Sequence, residues 1–144
     1  MPNNIYLTYR GASPPEVVVS PLKVEFCQDG ADDQDIVFVN LSTGKALQIV
    51  FPTRADRTAF KPALRPKDVI VLEPYGTSEQ NRQKLTLRNR LGIQKRNGGC
   101  NFAAADSDLH RYGITYIVRD ITVSPVVNLV KVPGSGDPDI VVEC

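Results

Sequence analysis

The residues best suited to binding chemistry form a basic segment in the middle of the chain. From Arg82 to Arg96 the sequence has no acidic residue and six basic ones: Arg82, Lys84, Arg88, Arg90, Lys95 and Arg96. Arginine and lysine at this density neutralise phosphates or contact an acidic protein surface. Because no aromatic residue is interleaved with them, the segment does not support base stacking on a single strand. It is interpreted as a solvated face, a protein-binding face or a polyanion-binding face.

The charge of the whole chain is unevenly distributed. The formal net charge of the 144 residues is +1. Residues 52–96 carry eleven basic and four acidic side chains, whereas each flanking third carries three basic and six acidic ones. A molecule polarised in this way binds an anionic partner or pairs with a copy of itself. We therefore expect a protein partner or self-association first and nucleic acid second. We expect no membrane, since no apolar run is long enough to cross one.

The single histidine limits the enzymatic hypotheses. His110 is the only candidate base for a serine or cysteine nucleophile, and Cys100 is the nearest thiol in sequence. Asp106 and Asp108, together with His110, also form a weak metal-binding hypothesis. The sequence contains no P-loop, dinucleotide-binding fingerprint or nucleophile elbow. The prediction is a protein that is not an enzyme, with no cofactor and no bound metal.

An acidic turn precedes the longest apolar segment. It contains Asp29, Asp32, Asp33 and Asp35. The spacing does not match a calcium-binding loop, because the twelfth residue from Asp29 is Asn40 and not glutamate. The turn is therefore interpreted as an ordinary solvated one.

The cysteines and the N-terminus bear on the compartment. Cys27, Cys100 and Cys144 form no C-x-x-C pair, so zinc and thioredoxin-like sites are not supported. A Cys27–Cys100 disulfide and free thiols both remain open. The first residues lack the basic and apolar blocks of a signal peptide, which predicts a cytoplasmic protein, although a chain trimmed of its leader looks the same.

The elements that position these residues are predicted to be strands. Ile36–Val39 and Leu47–Phe51 are runs of β-branched, aromatic and other apolar residues, joined by residues 40–45, which contain Gly44. This pattern predicts two core strands connected as a hairpin. Residues 114–123 predict another strand, and Phe60 is expected in the core. Residues 77–91 fit either a capped helix or a strand, with a strand near helical turns slightly favoured.

Many short strands, frequent turns and little helix predict the fold class. We expect an all-β protein, an antiparallel Greek-key β-sandwich with at most one or two short helices. One domain spanning residues 1–144 is expected, since the sequence shows no repeat, linker or low-complexity tract.

Two blocks of the sequence resemble the cupredoxin family. One is I-V-F-V-N-x-S at Ile36–Ser42, followed by an apolar strand. The other runs from Gly113–Val118 to the segment Asp137–Val142. The resemblance implies a β-sandwich, and an immunoglobulin-like sandwich fits the same blocks. The copper ligands of that family do not carry over, because Ala46, Leu47 and Val118 stand where histidine and cysteine are expected, and one histidine cannot supply a blue-copper site.

The function predicted from these observations is a non-enzymatic structural or protein-interaction module without bound metal. The alternative is polyanion or nucleic-acid binding through Arg82–Arg96.

Overall fold

The computed structural model describes residues 3–22, 24–27, 33–77, 79–88, 94–96, 99–101, 111–132 and 139–143. The strands are β1 (Asn3–Arg10), β2 (Glu16–Ser20), β3 (Val24–Cys27), β4 (Gln34–Asn40), β5 (Leu47–Val50), β6 (Ile70–Leu72), β7 (Arg82–Leu87), β8 (Gln94–Arg96), β9 (Gly99–Asn101), β10 (Arg111–Ile114), β11 (Ile117–Asp120), β12 (Val127–Asn128), β13 (Val130–Val132) and β14 (Ile140–Glu143). Within these residues, helix is limited to α1 (Arg54–Arg57) and a 3₁₀ turn at Glu79–Asn81.

The strands form an all-β sandwich, which confirms the predicted fold class. A five-stranded sheet has the order β13-β2-β1-β4-β7, and a four-stranded sheet has the order β12-β11-β5-β6. A three-stranded sheet, β10-β14-β3, and the pair β8-β9 complete the described strands. The pairing is mixed and not purely antiparallel, since β1 with β4, β2 with β13 and β3 with β14 are parallel. These parallel pairs arise because, between the two paired strands, the chain passes through another sheet.

The predicted hairpin between the two central strands is wrong. β4 pairs with β1 and β7, whereas β5 pairs with β6 and β11 in the other large sheet. The connection at residues 41–46 is an arch, with Gly44 at φ 70° in its turn. On each strand one face is fully buried, with Ile36 and Phe38 on β4 and Leu47 and Ile49 on β5.

Aromatic side chains from different elements meet in the core. The ring of Phe38 on β4 lies 6.4 Å from that of Phe51, which follows β5, and 5.1 Å from that of Tyr116. Phe60 stacks at 4.8 Å against Phe51 and is 1% exposed, which confirms the prediction that it belongs to the core. Edge-to-face and tilted contacts of this kind add to the hydrophobic effect.

Two further predictions have different outcomes. In the segment 77–91, the described residues form the 3₁₀ turn and then β7, so the favoured interpretation, a strand near a helical turn, is confirmed.

The single strand predicted over residues 114–123 is wrong, because β10 and β11 belong to different sheets. At the step between them, the N–H groups of Thr115 and Tyr116 donate to the carboxylates of Asp56 and Asp139. These carboxylates accept the N–H groups that a neighbouring strand would otherwise bind, and the chain passes from the three-stranded to the four-stranded sheet.

Among the described residues, no helix has the length and apolar character needed to span a membrane.

Candidate interaction edge and buried polar clusters

The structure places half of the predicted basic residues on one strand and its end. Arg82 and Lys84 lie on β7 and Arg88 directly follows it, and all three are exposed. Lys95 and Arg96 lie on β8, which pairs with β9 alone among the described strands. Arg90 lies outside the described residues. The six residues are therefore not shown to form one face, and the geometry that can be described is that of β7.

Arg88 differs from the other two because it has a structural partner. Its guanidinium donates to the carbonyl oxygen of Phe60 from Nε at 3.2 Å and from Nη2 at 3.0 Å. Its backbone N–H donates to the Ala59 carbonyl at 3.0 Å. Arg88 thus fastens the segment around Phe60 to the end of β7. Neither Arg82 nor Lys84 has an ion pair or side-chain hydrogen bond with a described residue, so these two cations face water.

β7 is an edge strand that is covered on its outer side only at Thr86 and Leu87. It pairs with β4 on one side, and on the other side it meets the segment 59–61 through a bridge between Leu87 and Phe60. There the N–H of Lys61 donates to the carbonyl of Thr86 at 2.8 Å. Among the described residues, no strand pairs with this side of β7 from Arg82 to Leu85. An open edge of this kind is a template for another strand.

The orientation of the open backbone groups follows from the ladder. In an antiparallel pair, successive residues direct their N–H and C=O alternately towards and away from the partner. Since the carbonyl of Thr86 points away from β4 to reach Lys61, the backbone groups of Arg82 and Lys84 point the same way. The open part of β7 therefore presents backbone donors and acceptors beside two exposed cations. A shallow depression formed by residues 75–77 and 79–83 adjoins it.

The remaining sequence candidates are not assembled into a site. His110, Asp106 and Asp108 lie outside the described residues, and Cys27 and Cys100 are placed by their backbone alone, on β3 and β9. Asp29 and Asp32 of the acidic turn also lie outside the described residues. Asp33 pairs with Lys61 at 3.3 Å, and Asp35 accepts a hydrogen bond from Thr86 at 2.9 Å. In the described part of the chain, no three potential metal ligands cluster.

A first buried polar cluster lies at the arch between β4 and β5. Asn40 is fully buried, and its Nδ2 donates to the carbonyls of Lys45 at 2.7 Å and Glu73 at 3.2 Å. Its Oδ1 accepts from the N–H of Ser42 at 2.8 Å. Because its amide nitrogen and oxygen are both engaged, Asn40 joins the arch to the residue that follows β6, a role that the sequence did not indicate.

The arch also carries an ion pair. Lys45 Nζ lies 3.0 Å from Asp120 Oδ2 and 4.5 Å from the centre of the Tyr9 ring. The hydrogen bond from Lys45 to Asp120 raises the pKa of the lysine, against the opposing effect of desolvation. Burial alone raises the pKa of Asp120, but hydrogen bonds from Lys45 and Thr122 outweigh it, and the net pKa is lowered.

A second buried polar cluster surrounds Tyr116, and no sequence signal indicated it. Lys131 Nζ contacts the Asp139 carboxylate and the Tyr116 carbonyl, and it lies 4.6 Å from the centre of the Tyr116 ring. Asp139 also accepts the Tyr116 N–H at 3.2 Å. The Tyr116 hydroxyl is buried without a hydrogen-bond partner among the described residues. Burial, followed by the Asp139 charge, raises the pKa of Tyr116 far above its ordinary value.

Comparison of the chain with protein-family models and with curated proteins gave no match. Among solved structures, the chain is similar to an azurin (Az-iso2) from the obligate methylotroph Methylomonas sp. strain J. The two are 12% identical, the match covers 90% of this chain and 97% of the azurin, and the TM-score is 0.31. A TM-score this low carries no argument about the present chain. The cupredoxin resemblance therefore stays a prediction.

Proposed function

We propose that the protein is a non-enzymatic interaction module that binds an acidic, extended segment of a partner protein along β7. The observation that carries this proposal is the partly open edge of β7, where Arg82 and Lys84 are exposed and have no described partner. A strand added there gains main-chain hydrogen bonds, and the side chains beside it set which strand is accepted.

Charge favours a different protein over a second copy pairing through the same strand. Two β7 edges placed side by side would bring Arg82 and Lys84 of each copy close to their counterparts. Like charges opposite one another destabilise a strand pair, and charged edge residues are a common way to prevent edge-to-edge association. An acidic strand instead neutralises both cations. If the strand came instead from an acidic outer third of a second copy, analytical ultracentrifugation of the chain alone would show self-association.

The alternative is binding of a polyanion through Arg82–Arg96. A nucleic-acid track needs several cations along one path, each of which contributes to the salt dependence of affinity. The described part of the chain offers Arg82 and Lys84 on the open edge, while Arg88 is engaged with Phe60. Two exposed cations beside unpaired backbone groups suit an acidic strand better than a long polyanion. Binding of an acidic strand is therefore preferred over binding of a polyanion.

The test uses the full chain and a short synthetic peptide that alternates Glu with Val, with a Lys-for-Glu peptide as its counterpart. Calorimetric titration is expected to show binding of the acidic peptide alone. The double variant Arg82→Glu/Lys84→Glu is expected to weaken this binding about tenfold, as two partly screened charge contacts allow. The matched control, Arg54→Glu/Lys67→Glu, makes the same charge change at exposed positions away from β7 and should bind normally.

A second pair of variants tests the backbone part of the proposal. Lys84→Ala removes the charge, whereas Lys84→Pro also removes the outward N–H without breaking the ladder to β4. The proline variant is expected to bind the acidic peptide about fivefold more weakly than the alanine variant, since it lacks one hydrogen bond. Equal affinities would refute strand addition. Tighter binding of heparin or single-stranded DNA, with a steep salt dependence, would favour the polyanion alternative.

We also infer that the sandwich is a metal-free relative of the cupredoxin architecture. The supporting residues are those at the positions expected for copper ligands, Ala46, Leu47 and Val118, whose side chains cannot bind copper. Titration with copper, followed by visible absorption and elemental analysis, is expected to leave the protein colourless and without stoichiometric metal. A blue, stoichiometric complex would contradict the inference.

A further inference from the structure

The Lys131–Asp139 pair joins two sheets at the far edge from β7. Lys131 lies on β13, the other edge strand of the five-stranded sheet, and Asp139 directly precedes β14 of the three-stranded sheet. The side chains of Lys131 and Asp139 are 20% and 8% exposed. A lysine and an aspartate are thus held together across two sheets and largely out of water.

The two side chains of the pair lie within reach of each other. Nζ lies 2.5 Å from Asp139 Oδ2. Since a C–O bond is about 1.23 Å long, Nζ is at most about 3.7 Å from Asp139 Cγ, close to the ~3–3.5 Å of a near-attack arrangement. The Tyr116 ring lies over Nζ, and the Tyr116 N–H donates to the same carboxylate oxygen. The adjacent N–H, of Thr115, is held by the buried carboxylate of Asp56, which fixes this stretch of backbone.

We propose that Lys131 and Asp139 condense into an intramolecular amide that cross-links β13 to the start of β14. A proton passes from the Lys131 ammonium to the Asp139 carboxylate, and the resulting amine attacks Cγ. A tetrahedral intermediate forms at Cγ, while the Tyr116 N–H, which donates to Oδ2, holds the carboxyl group in place. Oδ2, which received the first proton, takes a second proton from nitrogen and leaves as water. One C–N bond forms, one C–O bond breaks, and no oxidant or reductant is needed.

Burial supplies the driving force for this condensation. Two opposite charges held away from water carry a desolvation penalty that their mutual attraction only partly repays. The amide is neutral, and its N–H and C=O retain hydrogen-bonding capacity next to the Tyr116 backbone. Preorganisation by the two sheets removes the entropy cost of bringing the reactants together. An exposed pair such as Lys61–Asp33, whose lysine side chain is 65% exposed, lacks both advantages.

The test is mass spectrometry of the full chain, after reduction, alkylation and denaturation. With allowance for removal of Met1, the purified protein is expected to weigh one water less than its sequence requires. Digestion with trypsin should yield a branched peptide that joins Lys131 to Asp139, with no cleavage after Lys131. An unmodified mass after prolonged incubation overturns the proposal. So does a water loss that maps to a succinimide at Asp29-Gly30 and not to this pair.

Two variants keep the test decisive. Lys131→Arg retains the charge and an ion pair with Asp139 but cannot form the amide, so it should fold and show the full mass. Asp139→Asn is expected to lose ammonia and reach the same product as the wild type. A mass deficit in Lys131→Arg, or an Asp139→Asn variant that keeps its full mass, would show that the modification lies elsewhere and that the proposal is wrong.

Discussion

The two edge strands of the five-stranded sheet, β7 and β13, each carry a lysine, and the two lysines have different surroundings. On β7, Lys84 is exposed and has no partner among the described residues. On β13, Lys131 turns inward to Asp139 and the Tyr116 ring. Both lysines lie on short edge strands, so neither residue type nor secondary structure distinguishes them. The difference lies in the partner of each side chain: no described residue pairs with Lys84, whereas Asp139, directly before β14, pairs with Lys131.

The two edge strands are also held differently. β13 is joined to the three-stranded sheet by the partly buried ion pair between Lys131 and Asp139. The β7 edge is covered only at Thr86 and Leu87, by the backbone bonds of residues 59–61, and the rest stays available. Edge strands attract other strands unless something prevents it. The proposed binding of an acidic strand uses this uncovered part of β7.

The largest expected effect comes from breaking the Lys131–Asp139 ion pair. Asp139→Ala leaves the Lys131 ammonium, whose side chain is 20% exposed, without its counter-charge and removes an acceptor for the Tyr116 N–H. Compared with Lys131→Arg, which keeps an ion pair with Asp139 and cannot form the amide, Asp139→Ala should lower the unfolding free energy by about 3 kcal/mol. Urea denaturation followed by circular dichroism measures this loss.

The matched control for that experiment is on the open edge. Lys84→Ala is expected to change the unfolding free energy by no more than about 0.5 kcal/mol, as at other exposed positions. Similar losses in the two variants would show that the edges do not differ as described. The double variant Lys131→Met/Asp139→Leu should recover much of the loss, because an apolar pair has no charge to desolvate.

A smaller effect is expected at the buried hydroxyl of Tyr116. The Tyr116 hydroxyl is buried and has no hydrogen-bond partner among the described residues. An unsatisfied buried hydroxyl costs about 1–3 kcal/mol. Tyr116→Phe is therefore expected to stabilise the protein by about 1 kcal/mol in the same denaturation experiment. A clear loss of stability would mean that the hydroxyl makes a hydrogen bond in solution.

The smallest effect concerns Lys45, which is intermediate between the two edge lysines in exposure. The pKa of its partner Asp120 is lowered from the ordinary value of 3.8, since hydrogen bonds from Lys45 and Thr122 outweigh burial. The folded state then binds this proton less readily than the unfolded state. The stabilisation from Asp120 is complete above about pH 4 and is lost as the pH falls through the lowered pKa.

Comparison with Asp120→Asn isolates this contribution. The wild type should be the more stable of the two at neutral pH, and the difference in urea midpoint should shrink below pH 4. A difference that stays constant down to the acid limit of folding would show that the Asp120 carboxylate is not preferentially stabilised in the native state.

Much of the fold followed from local sequence patterns. Cβ-branched and aromatic runs indicated the strands, because their side chains suit a pleated surface. Phe60 was placed in the core on its type alone. The connection of β4 to β5 was not predictable, because a hairpin and an arch between sheets use the same turn residues. The same holds for the break at Thr115 and Tyr116, where the deciding acceptors, Asp56 and Asp139, are distant in sequence.

The candidate site was predictable in part. The density of basic residues indicated Arg82 and Lys84, and the structure adds that they border an open strand edge. Sequence could not separate these two from Arg88, because its partner is the backbone carbonyl of Phe60. The Lys131–Asp139 pair gave no signal, since isolated lysines and aspartates in loops and edge strands are usually solvated.

The sequence by itself determined that this chain forms short strands, buries Phe60 and concentrates positive charge in its middle third. Those properties depend on side-chain shape, hydrophobicity and charge, which each residue carries wherever it lies. Only the tertiary structure decided which strands are neighbours, which edge is open and which lysine is buried. Those outcomes depend on interactions between residues far apart in the sequence, and such residues interact only when the fold places them next to each other.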